Sequence, residues 1–129
     1  MKLNDYVKWT VNTCAKLDTR KEDIIHMLFG IMTETGELTD VFKKNMAYNK
    51  DIDWTNVEEE IGDLMFYIAS FCRITGIDLQ DVIDRNVKKL ETRYPDKFTE
   101  YHAKNRDLEK EREILEDGGI EVSPKYIRY

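Results

Sequence analysis

The chain has 129 residues, the size of a single domain and enough for one sizeable core. Lys and Arg number 20 against 26 Asp and Glu, a net charge of −6, which makes unspecific nucleic-acid binding a poor fit. The hydrophobic fraction of 41% and charged fraction of 36%, with 6 Gly and 2 Pro, suit a soluble helical protein, and no stretch approaches the roughly 18 apolar residues of a membrane span.

Leu3, Tyr6, Val7, Val11, Cys14 and Leu17 recur at helical spacing, so a first helix is expected over residues 3–17. Asn4 would cap it or lie just before it. Trp9 falls off that stripe, either free to meet a partner or ligand, or packed as a partly exposed side chain. The first ten residues have no continuous apolar core, so no signal peptide is expected. Cys14 and Cys72 form no C-x-x-C pair, and a buried free thiol at Cys72 in a reducing, cytoplasmic setting is the expectation.

Asp18-Thr19-Arg20 breaks the pattern, and Thr19 followed by Glu22 resembles a capping box, so a second helix begins there. Its stripe is Ile24, Leu28, Ile31, Thr35, Leu38, Phe42 and Met46. Glu34 and Glu37 flank that stripe with Met27, Gly30 and Val41, which sets the acids at the margin of the core. Residues 49–53 read as a loop, with Asp53 or Thr55 capping a third helix. Its inner stripe is Val57, Ile61, Leu64, Ile68 and Phe71, flanked by Glu60, Asp63 and Tyr67, with Phe66 and Ala69 on the far side. A helix apolar on nearly all sides is covered on nearly all sides, so a central helix and a dimer interface are expected.

Gly76 ends the third helix as a C′ residue. Asp78 caps a fourth helix over residues 79–92, with Leu79, Val82, Ile83, Val87 and Leu90 as its stripe. Asn86, Lys89 and Arg93 share its broad face and need partners, either an anionic ligand or neighbouring acids. Tyr94-Pro95 interrupts the chain. Residues 96–116 read as a charged helical segment ended by Gly118-Gly119. The expected architecture is an all-α antiparallel bundle of four to five helices, assembled as a dimer or higher. One domain would span residues 1–117, and residues 118–129 would form a loose or partner-bound tail.

Two acid pairs carry the chemistry. Glu34-Thr35-Gly36-Glu37 and Glu60-Ile61-Gly62-Asp63 share the order acid, any residue, Gly, acid. Acids three apart share a helix face, so two such helices packed antiparallel would aim four carboxylates at one point. Like charges repel, but a hard divalent cation such as Mg2+ takes oxygen ligands and makes the gathering favourable. The pattern therefore suggests a metal cage for phosphate chemistry. Gly36 and Gly62 each cost about 1 kcal/mol against Ala, which either marks close backbone approach or is simply tolerated. His26 and His102 are isolated, so zinc is not expected, and phosphate-loop and nucleophile-elbow motifs are absent.

These motifs resemble the MazG-like, all-α nucleoside triphosphate pyrophosphohydrolase family, which is similar in carrying E-x-x-E on one helix and E-x-x-D on the next. The matching residues are Glu34-x-x-Glu37, Glu60-Ile61-Gly62-Asp63-Leu64 leading into Phe66-Tyr67, and Asn86-x-x-Lys89-x-x-x-Arg93-Tyr94-Pro95. The resemblance covers roughly residues 24–98. It implies a helical core dimer, sometimes paired into a tetramer. It also implies Mg2+-dependent hydrolysis, with Mn2+ as a substitute ion, of an NTP or dNTP to the monophosphate and pyrophosphate. Glu34, Glu37, Glu60 and Asp63 would be catalytic metal ligands, unless one of them orients the attacking water. Lys44, Lys89 and Arg93 would meet phosphate, with Asn86 in the same nucleotide-contacting segment. Tyr67 would lean on sugar or base, and Trp54 would stack on a base or pack. The implied partners are a nucleoside triphosphate and further copies of the chain, with no nucleic acid or membrane. The rivals are a non-catalytic helical interaction module and a related hydrolase of phosphoribosyl-ATP or an alarmone.

Overall fold

The computed structural model describes residues 1–116, and among these it contains six α-helices, one 3-10 turn and no strand. Helix α1 spans Leu3–Trp9 and continues into the turn Thr10–Asn12; α2 spans Arg20–Tyr48, α3 Trp54–Thr75, α4 Leu79–Arg93, α5 Glu100–Lys104 and α6 Leu108–Glu116. Gly118-Gly119 and the tail over residues 118–129 lie outside the described residues.

Local chemistry sets these boundaries. The Glu22 backbone N–H donates to the Thr19 hydroxyl at 3.2 Å, and the Thr19 N–H donates to the Glu22 carboxylate at 3.0 Å, the reciprocal capping box that starts α2. Asn49, left-handed at φ 52°, ends that helix. Asp53 rather than Thr55 caps α3, accepting from the Asn56 N–H at 3.2 Å. Gly76 closes α3 at φ 78°, and Asp78 caps α4 by accepting from the Asp81 N–H at 3.1 Å.

The first helix is shorter than its periodicity predicts. The Thr10 hydroxyl donates to the Val7 carbonyl at 2.8 Å and accepts from Arg73 Nε at 3.0 Å. Thr10 is thereby tied to α3, and the chain tightens into a 3-10 turn and leaves helix. Lys2, not Asn4, stands at the N-cap, without a side-chain bond. The charged segment after Pro95 also divides. Thr99 caps α5 and Asp107 caps α6, so one expected helix becomes two.

Helices α2 and α3 form an antiparallel hairpin across the short loop after Asn49, and this pair is the most extensive contact in the fold. The face of α2 that meets α3 follows the expected seven-residue stripe only in part: Ile24 is buried and Ile31 and Leu38 are half-buried. Met27, at 1% exposure, and Gly30 are buried, whereas Leu28, Phe42 and Met46 are exposed. Met27, Gly30, Glu34, Glu37 and Val41 follow one another in steps of three and four residues, so the acids continue the packed face, with Glu34 half-buried and Glu37 exposed at the margin of the core. The reading of α3 needs a matching correction. Ala69 is fully buried in a cluster with Cys72 and Leu79, packed by Leu3, Tyr6 and Val7 of α1, while Ile61 is 47% exposed. The cover for Ala69 thus comes from the same chain, because α1 folds back over it.

Helix α4 packs on α1 and α6. Leu79 is buried at its start, but Val82, Ile83, Val87 and Leu90 remain exposed. No helix among the described residues is long and apolar enough to cross a membrane.

Candidate metal centre

Glu34 and Glu37 from α2 meet Glu60 from α3, each offering a carboxylate oxygen within 4.8 Å of the others. Glu60 is buried, Glu34 half-buried and Glu37 exposed. Among the described residues none of the three has an ion-pair partner. Burial, and then the hydrogen bond and charge of Glu37, push the Glu34 carboxyl up to about 7. Glu60 is likewise raised, first by burial and then by the charge of Glu37. Asp63 stands one turn after Glu60. It is not one of the three convergent groups, but its charge acts on Glu34 and on Tyr67. Hard oxygen donors without nitrogen or sulfur fit Mg2+ or Mn2+ and do not favour softer ions.

The two glycines beside these acids do not mark close approach. A Cβ at Gly36 or Gly62 would meet nothing within 4 Å. Close approach occurs instead at Gly30, where a Cβ would lie 2.1 Å from the Tyr67 ring. The Tyr67 ring thus packs directly against α2 at Gly30, with Phe66 edge-on to it at 5.5 Å.

Recesses flank the acids on two sides. One, of about 580 Å3, is lined by Glu37 and Glu60 together with Asp40, Lys44, Lys50 and Asn56. Lys44 is there, but its ammonium lies 2.5 Å from Asp40, which also holds Lys43 at 2.9 Å. The other, of about 460 Å3, is lined by Glu34, Gly62 and Asp63 and by the aromatic side chains Tyr6, Trp9, Phe66 and Tyr67.

The remaining sequence candidates lie elsewhere. Trp54 packs edge-on against Phe42 at 6.1 Å and lines neither recess. Asn86 is exposed and Lys89 half-buried on α4, and they too line neither recess. Arg93 pairs with Glu111 at 2.7 Å, and Arg106 grips the same carboxylate at 2.7 Å. Of the two partners considered for Arg93, the structure supplies an acid of its own chain. Sequence reasoning missed Lys50, whose place in the turn after Asn49 could have signalled it. It also missed Gly30, whose role depends on the residue facing it.

A family model described as the MazG nucleotide pyrophosphohydrolase domain matches residues 23–98. That span holds both acid pairs and all of α3 and α4, and it leaves out α1. No curated protein and no solved structure matches the chain.

Proposed function

The chain belongs to the MazG nucleotide pyrophosphohydrolase domain family, and from that premise we propose that it hydrolyses a nucleoside triphosphate, NTP or dNTP, between the α and β phosphates. Water forms a new P–O bond, the bridging P–O bond breaks, and the products are a nucleoside monophosphate and pyrophosphate. Family membership supports the choice of bond. The observation that carries the reading is the convergence of Glu34, Glu37 and Glu60, with Asp63 one turn away. We assign Mg2+ to these four acids, with Mn2+ as a substitute; such an ion supplies charge neutralisation and Lewis acidity toward the phosphoanhydride. The chain's own contributions are positional. Lys44, Lys50 and Asn56 line the recess beside Glu37 and Glu60, together with Asp40, Asp51 and Asp53, and in this proposal Lys50 and Asn56 donate to the polyphosphate tail while Lys44, paired with Asp40, lies beside it. A carboxylate of the acid set is our acceptor for the proton of the attacking water.

The working form in this proposal is a homodimer or a pair of dimers in a reducing cytoplasm, with no nucleic-acid or membrane partner. Free Cys14 and Cys72 fit that compartment. Leu28, Phe29 and Met32 on α2, and Val82, Ile83 and Val87 on α4, are exposed, and apolar surface of this kind supports a twofold interface. A wild-type protein that sediments as a monomer at micromolar concentration while turning over fully removes the assembly part.

The decisive assay is a panel of NTPs and dNTPs with Mg2+ or Mn2+, with chromatography of the products. Monophosphate and pyrophosphate are expected. A nucleoside diphosphate as first product, or no turnover of any nucleotide, overturns the proposal.

A further inference from the structure

We infer that the recess walled by α1 takes the flat aromatic base of the substrate, with Trp9 as its stacking face and the phosphate tail running across the acids toward Lys44 and Lys50. This rests on the nucleotide reading above and gives that substrate a direction. Tyr6 and Trp9 from α1 and Phe66 and Tyr67 from α3 line a recess of about 460 Å3, within the range of about 300–1,000 Å3 for small-molecule pockets. Tyr6 and Trp9 are stacked with only 12° between their planes, and Trp9 is 42% exposed, so a ring face is available. Glu34, a member of the acid cluster, belongs to the same lining, while the lysines line the recess on the side of Glu37 and Glu60. The aromatic recess and the recess that holds Lys44 and Lys50 among Asp40, Asp51 and Asp53 therefore lie on either side of the acid cluster, and the two lysines are the cations there for the tail.

Gly62 adds an independent observation. Glycine weakens a helix interior, yet a Cβ there would meet nothing within 4 Å, so packing within this chain does not require it. Gly62 lines the recess beside Asp63, so a larger side chain there would enter it. Tyr6, Trp9 and Thr13 all precede residue 23, so this wall lies outside the matched family segment. Every base has a π face, so such a stack holds a base without choosing its identity.

The test uses the full chain carrying Trp54→Phe, which leaves Trp9 as the sole tryptophan of the 2 in the sequence. Free nucleosides, without phosphate or metal, should quench its emission; ribose and inorganic tripolyphosphate should not. Gly62→Leu should abolish the quench without lowering the melting temperature. In turnover, Trp9→Ala should raise KM for the triphosphate roughly tenfold or more, the size of one aromatic stack, with kcat changed far less. Trp9→Phe should restore most of it, and competitive inhibition by tripolyphosphate should be the same in all three proteins. The inference fails if nucleosides leave Trp9 emission unchanged. It also fails if Trp9→Ala alters tripolyphosphate inhibition as much as KM, or alters only sedimentation. Quenching by nucleosides in a protein that hydrolyses no triphosphate keeps the base recess and removes the hydrolase reading. Hydrolysis with an unchanged KM in Trp9→Ala does the reverse.

Discussion

Glu34 and Glu111 are the same side chain in opposite surroundings. Glu111, 3% exposed, lies between the guanidinium groups of Arg93 and Arg106, whose hydrogen bonds hold its carboxyl at about 2. Glu34 sits among Glu37, Glu60 and Asp63, and burial with those neighbours raises it to about 7. The first arrangement is complete within the chain: it fastens α6 to α4 and occupies Arg93. The second gathers like charges at the edge of the principal hairpin, where none of the convergent glutamates has a basic partner among the described residues. A group of that kind does not stabilise a fold, and its physical rationale is an ion brought from outside.

The sharpest way to break this comparison is to remove one charge from each region. Glu37→Gln or Asp63→Asn should lower metal-dependent turnover more than about a hundredfold, beyond the 10–100-fold typical of groups that merely support a ligand. Circular dichroism should show helix content unchanged, and undiminished turnover in both variants would remove the metal centre. Glu111→Gln should do the opposite. It leaves two guanidiniums facing an amide, so the melting temperature should fall by a few degrees or more while turnover at moderate temperature survives. A lower KM with an unchanged melting temperature would instead mean that Glu111 withholds Arg93 from substrate.

The two regions were not equally legible. The acid pairs could be read directly, because a spacing of three residues fixes a shared helix face whatever the tertiary structure does. The helix starts at Thr19, Asp53 and Asp78 were legible for the same reason, since caps are local. The rotation of α2 was not. Leu28, Phe42 and Met46 complete a convincing apolar stripe, yet they remain exposed, and the face that packs is built on Met27 and Gly30. Glycine carries no hydropathy signal, and its value appears only when the Tyr67 ring is laid over it. The Arg93–Glu111 pair spans a break and two helix starts, and the cover of Ala69 by α1 joins residues some sixty positions apart. Local periodicity encodes neither.

Gly30 offers a smaller test of the same hairpin. Gly30→Ala adds a methyl where the Tyr67 ring already lies, and overpacking of this kind costs about 1–3 kcal/mol, against a gain of about 1 kcal/mol in helix propensity. The displaced ring should crowd the aromatic recess and raise KM. In a Tyr67→Ala background, itself less stable for loss of the ring, Gly30→Ala should cost little or nothing, read by denaturant midpoint. Independent, additive losses would show that the two residues do not share that space.

The smallest effect expected is a difference in the pH dependence of stability without metal. Glu34 is raised from an ordinary 4.5 to about 7 by burial and then Glu37, so the folded state holds its proton more tightly than the unfolded state does. Its contribution is therefore fully present below about 4.5 and lost as pH rises through about 7. Glu111 is lowered from 4.5 to about 2 by Arg93 and then Arg106, so its contribution is present above about 4.5 and lost as pH falls toward 2. Melting curves recorded in chelator should show Glu34→Gln flattening the decline between about 4.5 and 7, with the acid limb unchanged. Glu111→Gln should flatten the acid limb and leave the neutral one. Mg2+ binds the folded form and should restore stability at neutral pH in the wild type, but less in Glu34→Gln, which has lost a ligand. Parallel wild-type and Glu34→Gln profiles from pH 4.5 to 7 would show that Glu34 does not hold its proton more tightly in the folded state, and the contrast between the two regions would then rest on geometry alone.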